Sequence, residues 1–418
     1  MAKFVVQGGN RLKGTVHISG SKNAVLPIMS AALLTKEKTV LTNVPDIADI
    51  RSMINILVGL GVRIKFDKNT LSIDPSKLKN IRPLDDYVCR MRASILLIGP
   101  LLANFGKVEM TFPGGCVLGK RSVKAHTKAL EGLGCETVKD DREIKMRARY
   151  LKGAEITMME LSVTATENLV MAAVKAEGET TIKLAAAEPH VQDLCKFLNR
   201  MGAKIKGIGT HTLKIKGVKT LHGAKYRVTG DYLEAGTYAV AAAITNGDVQ
   251  IKGIDTSHLD SFWQKLKEVG VNFTLTPKEV HILGYKHLSA ITPLKTAVYP
   301  SFPTDLQAPF AVLLTQANGV SKIFETLFEG RLNYLAELER MGAKIELLNP
   351  HQAIVIGPSK LKGIPISSYD IRAGAAMVIA ALIAKGETEI SNINYLDRGY
   401  DNIEKKLRRL GANIKRVQ

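Results

Sequence analysis

Six predicted helices along the chain end with the same spacing of apolar residues and glycine. The phrase is Leu-x-x-h-Gly, where h is apolar, and it begins at Leu57, Leu130, Leu198, Leu266, Leu338 and Leu407. Its two apolar residues share one helix face, and glycine suits the left-handed residue that follows a helix. Successive glycines of the phrase are 73, 68, 68, 72 and 69 residues apart. A period of about 70 residues predicts six structural units of one kind.

The residues between these phrases predict the order of elements within one unit. A second helix, rich in Ala, Leu, Ile and Met, lies upstream of each phrase, as at 24–34, 93–103, 169–176 and 373–384. Strands are predicted after it, as at 181–184 and 388–391, and after the phrase, where an apolar residue follows the glycine by three places in every unit except the one with Thr137. Short strands near Leu12, Leu151, Leu221 and Leu361 open most units.

The unit is therefore predicted as β-α-β-α-β-β. Its first helix is apolar on nearly all sides, which places it inside a domain with sheets outside it. The fold class is α/β (α+β), and a chain of 418 residues fits two domains of three units each.

Composition narrows the class of protein. The formal net charge of +19 suits nucleic acid, an acidic surface or anionic small substrates, but the basic residues are scattered, and aromatic residues, at 6%, do not alternate with them. The longest apolar stretches, such as 377–384, are short for a membrane span, and the amino terminus lacks a signal-peptide core. The four cysteines form no CxxC pair. We expect a cytoplasmic monomer that binds no metal, cofactor, nucleic acid or membrane.

The starts of the inner helices do not repeat, and several carry a cation. Capping explains Ser, Thr and Asp at such positions. It does not explain Lys22, Arg92 or Arg372, because a cation at a helix start opposes the helix dipole. Their presence favours an anionic ligand shared between the cation and the helix start.

One segment, 112–121, has no counterpart in the other units. It reads Phe-Pro-Gly-Gly-Cys-Val-Leu-Gly-Lys-Arg and combines the Cys116 thiol with Lys120 and Arg121. A thiol near cations is biased towards the reactive thiolate; the alternative is a surface loop with an incidental cysteine. The spacing Gly114-x-x-x-x-Gly119-Lys120 imitates a P-loop, but Arg121 replaces the Ser or Thr that binds Mg²⁺, which disfavours a nucleotide phosphotransferase.

A further group of charged residues lies late in the chain. It comprises Asp305, Glu329 with Arg331, Asp370 with Arg372, and Asp397 with Arg398. Each could be a surface ion pair. Their positions at the ends of predicted elements, inside otherwise apolar segments, favour a cleft.

These motifs resemble the enolpyruvyl transferase family over essentially the whole chain. The resembling segments are Ser-Gly-Ser-Lys22-Asn23-Ala, Met-Arg92-Ala-Ser, Pro-Gly-Gly-Cys116-x-x-Gly-x-Arg121, Phe-Pro-Thr-Asp305-x-Gln, Phe-Glu329-x-Arg331, Asp370-x-Arg372 and Asp397-Arg398-Gly-Tyr. The cysteine loop is similar to that of the members that use UDP-N-acetylglucosamine and separates the chain from the shikimate-pathway sister enzyme. The resemblance implies two domains, 21–229 and 1–20 plus 230–418, each of three inverted units, with inner helices directed at a cleft between them.

The activity implied is transfer of the enolpyruvyl group of phosphoenolpyruvate to the 3-hydroxyl of UDP-N-acetylglucosamine, with release of phosphate, as the first committed step of peptidoglycan synthesis. The resemblance implies that Cys116 donates a proton and is alkylated by fosfomycin, and that Asp305 is the base. It implies phosphate binding by Lys22, Arg121 and Arg398 and carboxylate binding by Arg331 and Arg372, supported by Arg92. The remaining substrate-binding set is Asn23, Ser122, Val123, Lys124, Ala125, Ser162, Val163, Leu327, Glu329 and Asp370.

Four positions, in three segments, depart from the family pattern. Ser122 and Lys124 stand where Pro and Asp are common, Glu160 where Lys is common, and Gly330 where Asn is common. The departures at 122, 124 and 160 touch the expected nucleotide contacts and are expected to change nucleotide affinity rather than the reaction. Two alternatives remain: the shikimate-pathway sister activity, and a basic scaffold that binds nucleic acid.

Overall fold

The computed structural model describes residues 2–114, 122–138 and 143–418. All six Leu-x-x-h-Gly phrases end a helix as predicted. Their glycines have φ angles of 89°, 89°, 100°, 102°, 104° and 100° in chain order. This left-handed conformation is strained for other residues, which explains why glycine recurs there. A strand follows each glycine, including the unit in which Thr137 replaced the apolar residue.

The stretch from 155 to 216 contains one complete unit in chain order. Strand Glu155–Thr157 leads to helix Val163–Ala173, strand Glu179–Lys183 and helix Pro189–Arg200, and a hairpin closes the unit. The opening strand pairs parallel with the next strand, where Ile156 lies opposite Ile182. In the hairpin, strand Thr212–Lys216 pairs antiparallel with Glu179–Lys183, and strand Lys204–Lys206 pairs antiparallel with Thr212–Lys216. The predicted β-α-β-α-β-β order and the fold class are confirmed.

The other units repeat these elements. The inner helices are Lys22–Ala31, Ile98–Phe105, Val163–Ala173, Tyr232–Ile244, Gln307–Leu314 and Ile371–Ile383. The outer helices are Ala48–Gly59, Lys124–Glu131, Pro189–Arg200, Asp260–Val269, Leu335–Arg340 and Ile403–Arg409. Short α-helices are Asp85–Val88 and Asn394–Asp397, and 3-10 helices are Ala32–Leu34, Arg92–Leu97, Thr256–Leu259, Thr304–Leu306 and Glu329–Leu332.

The described strands form six sheets. One half of the chain has the sheets Lys225–Arg227, Thr39–Thr42, Thr70–Asp74, Arg63–Asp67; Lys107–Thr111, Glu143–Arg147, Glu136–Val138; and Lys204–Lys206, Thr212–Lys216, Glu179–Lys183, Glu155–Thr157. The other has Val271–Thr276, Glu279–Tyr285, Asp248–Lys252, Lys13–His17; Leu294–Lys295, Gly319–Phe324, Gln352–Gly357, Lys344–Asn349; and Ile366–Ser367, Glu387–Ser391, Lys3–Gln7, Asn413–Val417.

Above the level of the six repeats, the chain divides into two large compact units. One contains the residues up to Ser19 together with Gly230–Gln418, and the other contains the described residues from Gly20 to Thr229. Strand Lys3–Gln7 pairs on both sides with strands of the carboxyl-terminal half. Strand Lys225–Arg227 pairs instead with Thr39–Thr42, far earlier in the chain. Each unit therefore completes its sheets with a strand that is distant in sequence.

The inner helices form the centre of each unit. Every residue of Tyr232–Ile244 and of Gln307–Leu314 is buried. The outer helix Asp260–Val269 buries only Phe262, Trp263, Leu266 and Val269. The contrast confirms that the first helix of the repeat is internal, and the sheets and outer helices shield it from water.

Some element boundaries predicted from the sequence are wrong. The helix expected over 93–103 begins with the 3-10 helix Arg92–Leu97, and the α-helix starts at Ile98. Pro100 explains the break, since its ring excludes an α-helical bond to the carbonyl four residues earlier. The short strands predicted near Leu151 and Leu361 are present only as isolated bridges, through Lys152 and Lys362. The strands that open these repeats begin further along the chain.

No helix among the described residues is long and apolar enough to cross a membrane. Within the same residues, no three or more His, Cys, Asp or Glu side chains are grouped so that they could hold a metal ion.

Candidate functional site

A carboxylate held between two buried guanidinium groups is the main feature of the unit that contains Gly230–Gln418. Arg331 Nη2 donates to Asp305 Oδ1 at 2.9 Å, and Arg372 Nε donates to Asp305 Oδ2 at 2.9 Å. The two arginine side chains are 5% and 6% exposed, whereas that of Asp305 is 26% exposed. The two cations are thus fixed inside the unit, and the carboxylate between them reaches the surface.

Local structure places Asp305 and Arg331 through one buried acid, Glu325. Asp305 lies in the 3-10 helix Thr304–Leu306, whose Thr304 hydroxyl donates to Glu325 Oε2 at 2.8 Å. The other oxygen of Glu325 accepts from the backbone amides of Leu327 and Phe328, which precede Arg331. Glu325 is fully buried. It therefore fixes the segments of both partners relative to each other.

Arg372 is held from a second side. Its Nη1 donates to the Tyr400 hydroxyl at 3.1 Å, and the guanidinium lies 5.5 Å from the centre of the Tyr400 ring. Burial lowers the pKa of Arg372, but the negative environment of Tyr400, Asp305 and Asp231 outweighs burial and raises it overall. Asp370 accepts hydrogen bonds from the amides of Arg372 and Ala373, so it is the N-cap of helix Ile371–Ile383.

Arg398 directly follows a short helix that is tied to the last strand of the chain. Helix Asn394–Asp397 precedes it, and Arg416 binds both oxygens of Asp397 at 3.0 and 2.6 Å. Arg416 also donates to Glu404 at 3.2 Å and lies 4.9 Å from the centre of the Phe4 ring. These contacts fix the backbone from which the Arg398 side chain extends.

Lys22 and Asn23 are the first two residues of helix Lys22–Ala31 in the other unit. The Ser21 side chain does not cap this helix within the described residues, and its first turn carries no acid. Lys22 Nζ lies 3.4 Å from Asp49 Oδ2, and the two side chains are 13% and 6% exposed. The anion that the sequence argument required beside Lys22 is therefore supplied by the protein itself.

The expected nucleotide-sugar segments lie together in the same unit. Arg92 Nη2 donates to the Ser122 carbonyl at 3.0 Å. The Ser122 hydroxyl accepts from the Lys124 amide at 3.0 Å, where helix Lys124–Glu131 begins. That helix packs against helix Val163–Ala173, whose N-cap is Ser162.

The remaining expected residues differ in exposure. Ala125 is buried, and Val163 is partly buried at the start of its helix. Leu327, Glu329 and Glu160 are exposed. Cys116 and Arg121 lie outside the described residues, so their expected roles stay predictions.

Several residues that shape these sites were not predicted from the sequence. Glu325 and Tyr400 position the arginine pair, and Asp49 pairs with Lys22. His126 and Asn168 join the nucleotide-sugar segments through hydrogen bonds to each other and to neighbouring groups. A charged or amide residue inside a run of apolar residues, as at Asn168, is the signal that was available.

Comparisons with known proteins show which family the chain resembles. The family model described as EPSP synthase (3-phosphoshikimate 1-carboxyvinyltransferase) matches residues 6–407. A protein of Caldanaerobacter subterraneus subsp. tengcongensis named UDP-N-acetylglucosamine 1-carboxyvinyltransferase 3 is 46% identical over 418 residues, all of both chains. One of Halothermothrix orenii named UDP-N-acetylglucosamine 1-carboxyvinyltransferase is 43% identical, again over all of both chains.

Solved structures show the same fold. The enolpyruvyl transferase NikO from Streptomyces tendae matches with a TM-score of 0.91 at 24% identity, over 100% of this chain and 99% of that one. EPSP synthase from Acinetobacter baumannii matches with a TM-score of 0.77 at 21% identity, over 100% of both chains. The resemblance seen in the sequence is confirmed: the chain belongs to the enolpyruvyl transferase family and, within it, to the UDP-N-acetylglucosamine 1-carboxyvinyltransferases.

Proposed function

We propose that the chain transfers the enolpyruvyl group of phosphoenolpyruvate to the 3-hydroxyl of UDP-N-acetylglucosamine and releases phosphate. The observation that carries the proposal is the 46% identity, over all 418 residues, to a relative whose name states that acceptor. The arginine-bound Asp305 gives the proposal its chemistry. The product would enter peptidoglycan synthesis, and both substrates are cytoplasmic metabolites.

The reaction sets the groups that the site must contain. The C3 carbon of phosphoenolpyruvate gains a proton while the sugar oxygen bonds to C2 and gives its proton to a base. The tetrahedral adduct then loses a proton from C3 and the C2–O bond to phosphate, which restores the double bond. The site therefore needs an acid, a base and cations that hold the carboxylate and phosphate.

Asp305 is the proposed base, and Arg331 and Arg372 are the proposed carboxylate ligands. Both guanidinium groups already bind a carboxylate, that of Asp305. A substrate carboxylate would compete with Asp305 for the same donors, since two planar guanidinium forks suit carboxylates in general. Exchange of one carboxylate for the other would leave an oxygen of Asp305 available to the sugar hydroxyl. Substrate binding would thus prepare the base.

The remaining proposed groups are the phosphate ligands, the proton donor and the nucleotide-sugar segments. Lys22 and Arg121 are proposed to hold the phosphate together with Arg398, because three cations suit a dianionic leaving group. Cys116 is the proposed proton donor to C3. The segments around Ser122 and Ser162 are proposed to bind the nucleotide sugar.

The test is phosphate release from phosphoenolpyruvate by the purified full chain. We expect release that requires UDP-N-acetylglucosamine, with a product whose mass equals the acceptor plus an enolpyruvyl group. Asp305→Asn is the matched control, because it keeps the shape of the side chain and removes the base. Release that does not depend on UDP-N-acetylglucosamine would refute the proposal.

Two further arms of the same assay address the alternatives. Shikimate 3-phosphate replaces the acceptor to test the sister activity, and we expect no phosphate release with it. Duplex and single-stranded DNA are added as competitors, and we expect no inhibition at physiological salt, because the basic residues form no stacking surface in the sequence.

A further inference from the structure

His126 and Asn168 form a buried chain of hydrogen bonds beneath the expected nucleotide-sugar segments. His126 is 2% exposed and Asn168 is fully buried. Asn168 Nδ2 lies 3.0 Å from His126 Nδ1, and His126 Nε2 lies 3.1 Å from the Thr164 hydroxyl. These hydrogen bonds therefore link the middle of helix Val163–Ala173 to helix Lys124–Glu131, and that helix to the start of helix Val163–Ala173.

Backbone groups fix which way the Asn168 amide faces. The Gly99 amide donates to Asn168 Oδ1 at 2.8 Å, and Asn168 Nδ2 donates to the Ile95 carbonyl at 2.9 Å. Gly99 permits this approach, because a Cβ atom there would lie 2.4 Å from the Asn168 carbonyl oxygen. A flipped amide would place two donors together and two acceptors together. Oδ1 therefore faces Gly99, and Nδ2 faces both Ile95 and His126.

This orientation determines the tautomer of His126. Because Asn168 Nδ2 donates, His126 Nδ1 accepts and carries no proton. A neutral imidazole then carries its proton on Nε2, which donates to the Thr164 oxygen. The ring stays neutral because the pKa of His126 is lowered to about 3, first by burial and secondly by the charge of Arg92.

This tautomer determines how the Thr164 hydroxyl forms hydrogen bonds. Its oxygen accepts from His126, so its own hydrogen points to another acceptor. Thr164 is the second residue of helix Val163–Ala173, and the Thr166 amide, which donates to the Ser162 carbonyl at 3.0 Å, is bonded within the helix. The amides before it point out of the helix start. Ser162 makes no side-chain cap bond to this helix within the described residues.

We propose that Asn168 and His126 are positioning residues that turn the Thr164 hydroxyl into a donor to an anionic oxygen of the bound nucleotide sugar. The inference deepens the proposed function and rests on it. The ligand chemistry is a phosphate oxygen of the diphosphate, because the hydroxyl and the backbone amides at this helix start are all donors and the positive end of the helix dipole favours an anion. Neither Asn168 nor His126 contacts the substrate in this proposal.

The first test removes the hydroxyl. Thr164→Val keeps the shape of the side chain, and Thr164→Ser keeps the donor. Calorimetry with Thr164→Val is expected to show affinity for UDP-N-acetylglucosamine and for UDP reduced about ten- to hundredfold, the effect of one hydrogen bond to a charged group. Affinity for uridine and KM for phosphoenolpyruvate are expected to stay unchanged, and Thr164→Ser is expected to restore binding. Thr245→Val is the control, since the Thr245 hydroxyl bonds only to the Ala241 and Ala242 carbonyls of its own helix.

The second test reverses the hydrogen-bond chain without touching Thr164. In Asn168→Asp the carboxylate has no N–H, so at a pH above the pKa of the ring in this variant His126 is expected to carry its one proton on Nδ1 and to accept from the Thr164 hydroxyl through Nε2. Imidazole ¹⁵N shifts report this change of tautomer directly. Loss of UDP affinity equal to that of Thr164→Val is expected.

The outcomes separate this inference from the proposed function. Wild-type turnover with unchanged UDP-N-acetylglucosamine affinity in Thr164→Val would overturn the inference and leave the function intact. A Nδ1-protonated ring in the wild type would overturn it as well. Absence of wild-type turnover would instead overturn the function. An Asn168→Asp variant that does not fold leaves the decision to Thr164→Val, which alters no buried polar network beyond one bond.

Discussion

Replacing His126 by Gln should remove a pH-dependent loss of stability. The pKa of His126 is lowered from its ordinary 6.5 to about 3, first by burial and then by the positive charge of Arg92. Within the described residues, the groups hydrogen-bonded to the ring, Asn168 and Thr164, carry no charge. Folding therefore requires the neutral ring, and the unfolded chain regains an ordinary histidine.

The sign and size of the effect follow from proton binding. Above pH 6.5 the ring is neutral in both states and adds no pH dependence. Between pH 6.5 and about 3 only the unfolded chain binds the proton, so stability falls as the pH falls, by about 1.4 kcal/mol per pH unit. Below about pH 3 both states are protonated and the loss is complete. From pH 7.5 to 5.5 the ring should cost the wild type about 1.4 kcal/mol.

The assay is urea unfolding of wild type and His126→Gln at these two pH values, followed by far-UV circular dichroism. The variant is expected to be less stable at pH 7.5, and its deficit is expected to shrink by about 1.4 kcal/mol at pH 5.5. All other titrating groups are common to both proteins and cancel. The single tryptophan, Trp263, lies in the other unit, so its fluorescence reports unfolding of residues that do not contain His126. Parallel pH dependence of the two proteins would refute a buried, neutral His126.

Four other predictions concern the proposed reaction. Asp305→Asn is expected to lower kcat about 10²- to 10⁴-fold while calorimetry still shows UDP-N-acetylglucosamine binding; retained turnover would exclude Asp305 as the base. Arg416→Ala is expected to raise KM for phosphoenolpyruvate about tenfold by releasing the segment before Arg398, and the same change at Arg51, which binds Asp46 through two bonds in the other unit, is expected to have no effect. UDP-N-acetylglucosamine is expected to change the alkylation rate of Cys116 but not of the exposed Cys89, measured by mass spectrometry of the labelled peptides; equal rates at Cys116 with and without the ligand would count against Cys116 lying beside the bound sugar nucleotide. Cys116→Asp is expected to keep turnover and lose fosfomycin sensitivity.

The repeat could be predicted from the sequence because its signal is local. A left-handed residue after a helix is a property of a few consecutive residues, and glycine at 61, 134, 202, 270, 342 and 411 marks it each time. Burial of the inner helices was predictable for the same reason, since the predicted helix 373–384 is apolar on every face. Local signals thus gave the elements and the fold class.

Pairing between distant strands could not be predicted in this way. Lys3–Gln7 joins a sheet with Asn413–Val417, and Lys225–Arg227 joins one with Thr39–Thr42. A strand of a few alternating residues fits many partners, because the hydrophobic pattern gives a face and not a neighbour. The proline at 100 was visible in the sequence, but its effect on the helix start was missed because it lies inside the strongly apolar run from 93 to 103.

In the candidate site, too, single residues could be predicted from the sequence, whereas their contacts could not. Asp305, Arg331 and Arg372 were predicted as separate groups, whereas their joint hydrogen bonding depends on Glu325 and Tyr400, whose roles appear only when the segments are packed. Asp370 is the N-cap of its helix, the ordinary role that such a residue has at a helix start.

The cations at helix starts show how far an electrostatic argument reaches. Lys22 and Arg372 oppose the helix dipole, which predicts a nearby anion but not its source. In the structure that anion is a protein carboxylate: Asp49 beside Lys22 and Asp305 beside Arg372. Stability alone therefore explains both cations once they are paired. What favours a substrate is instead the partial exposure of Asp305 between two buried arginines. The guanidinium groups of Arg331 and Arg372 are fixed inside the protein, whereas the Asp305 carboxylate reaches the surface. An incoming carboxylate can therefore take the place of Asp305 on the two arginines.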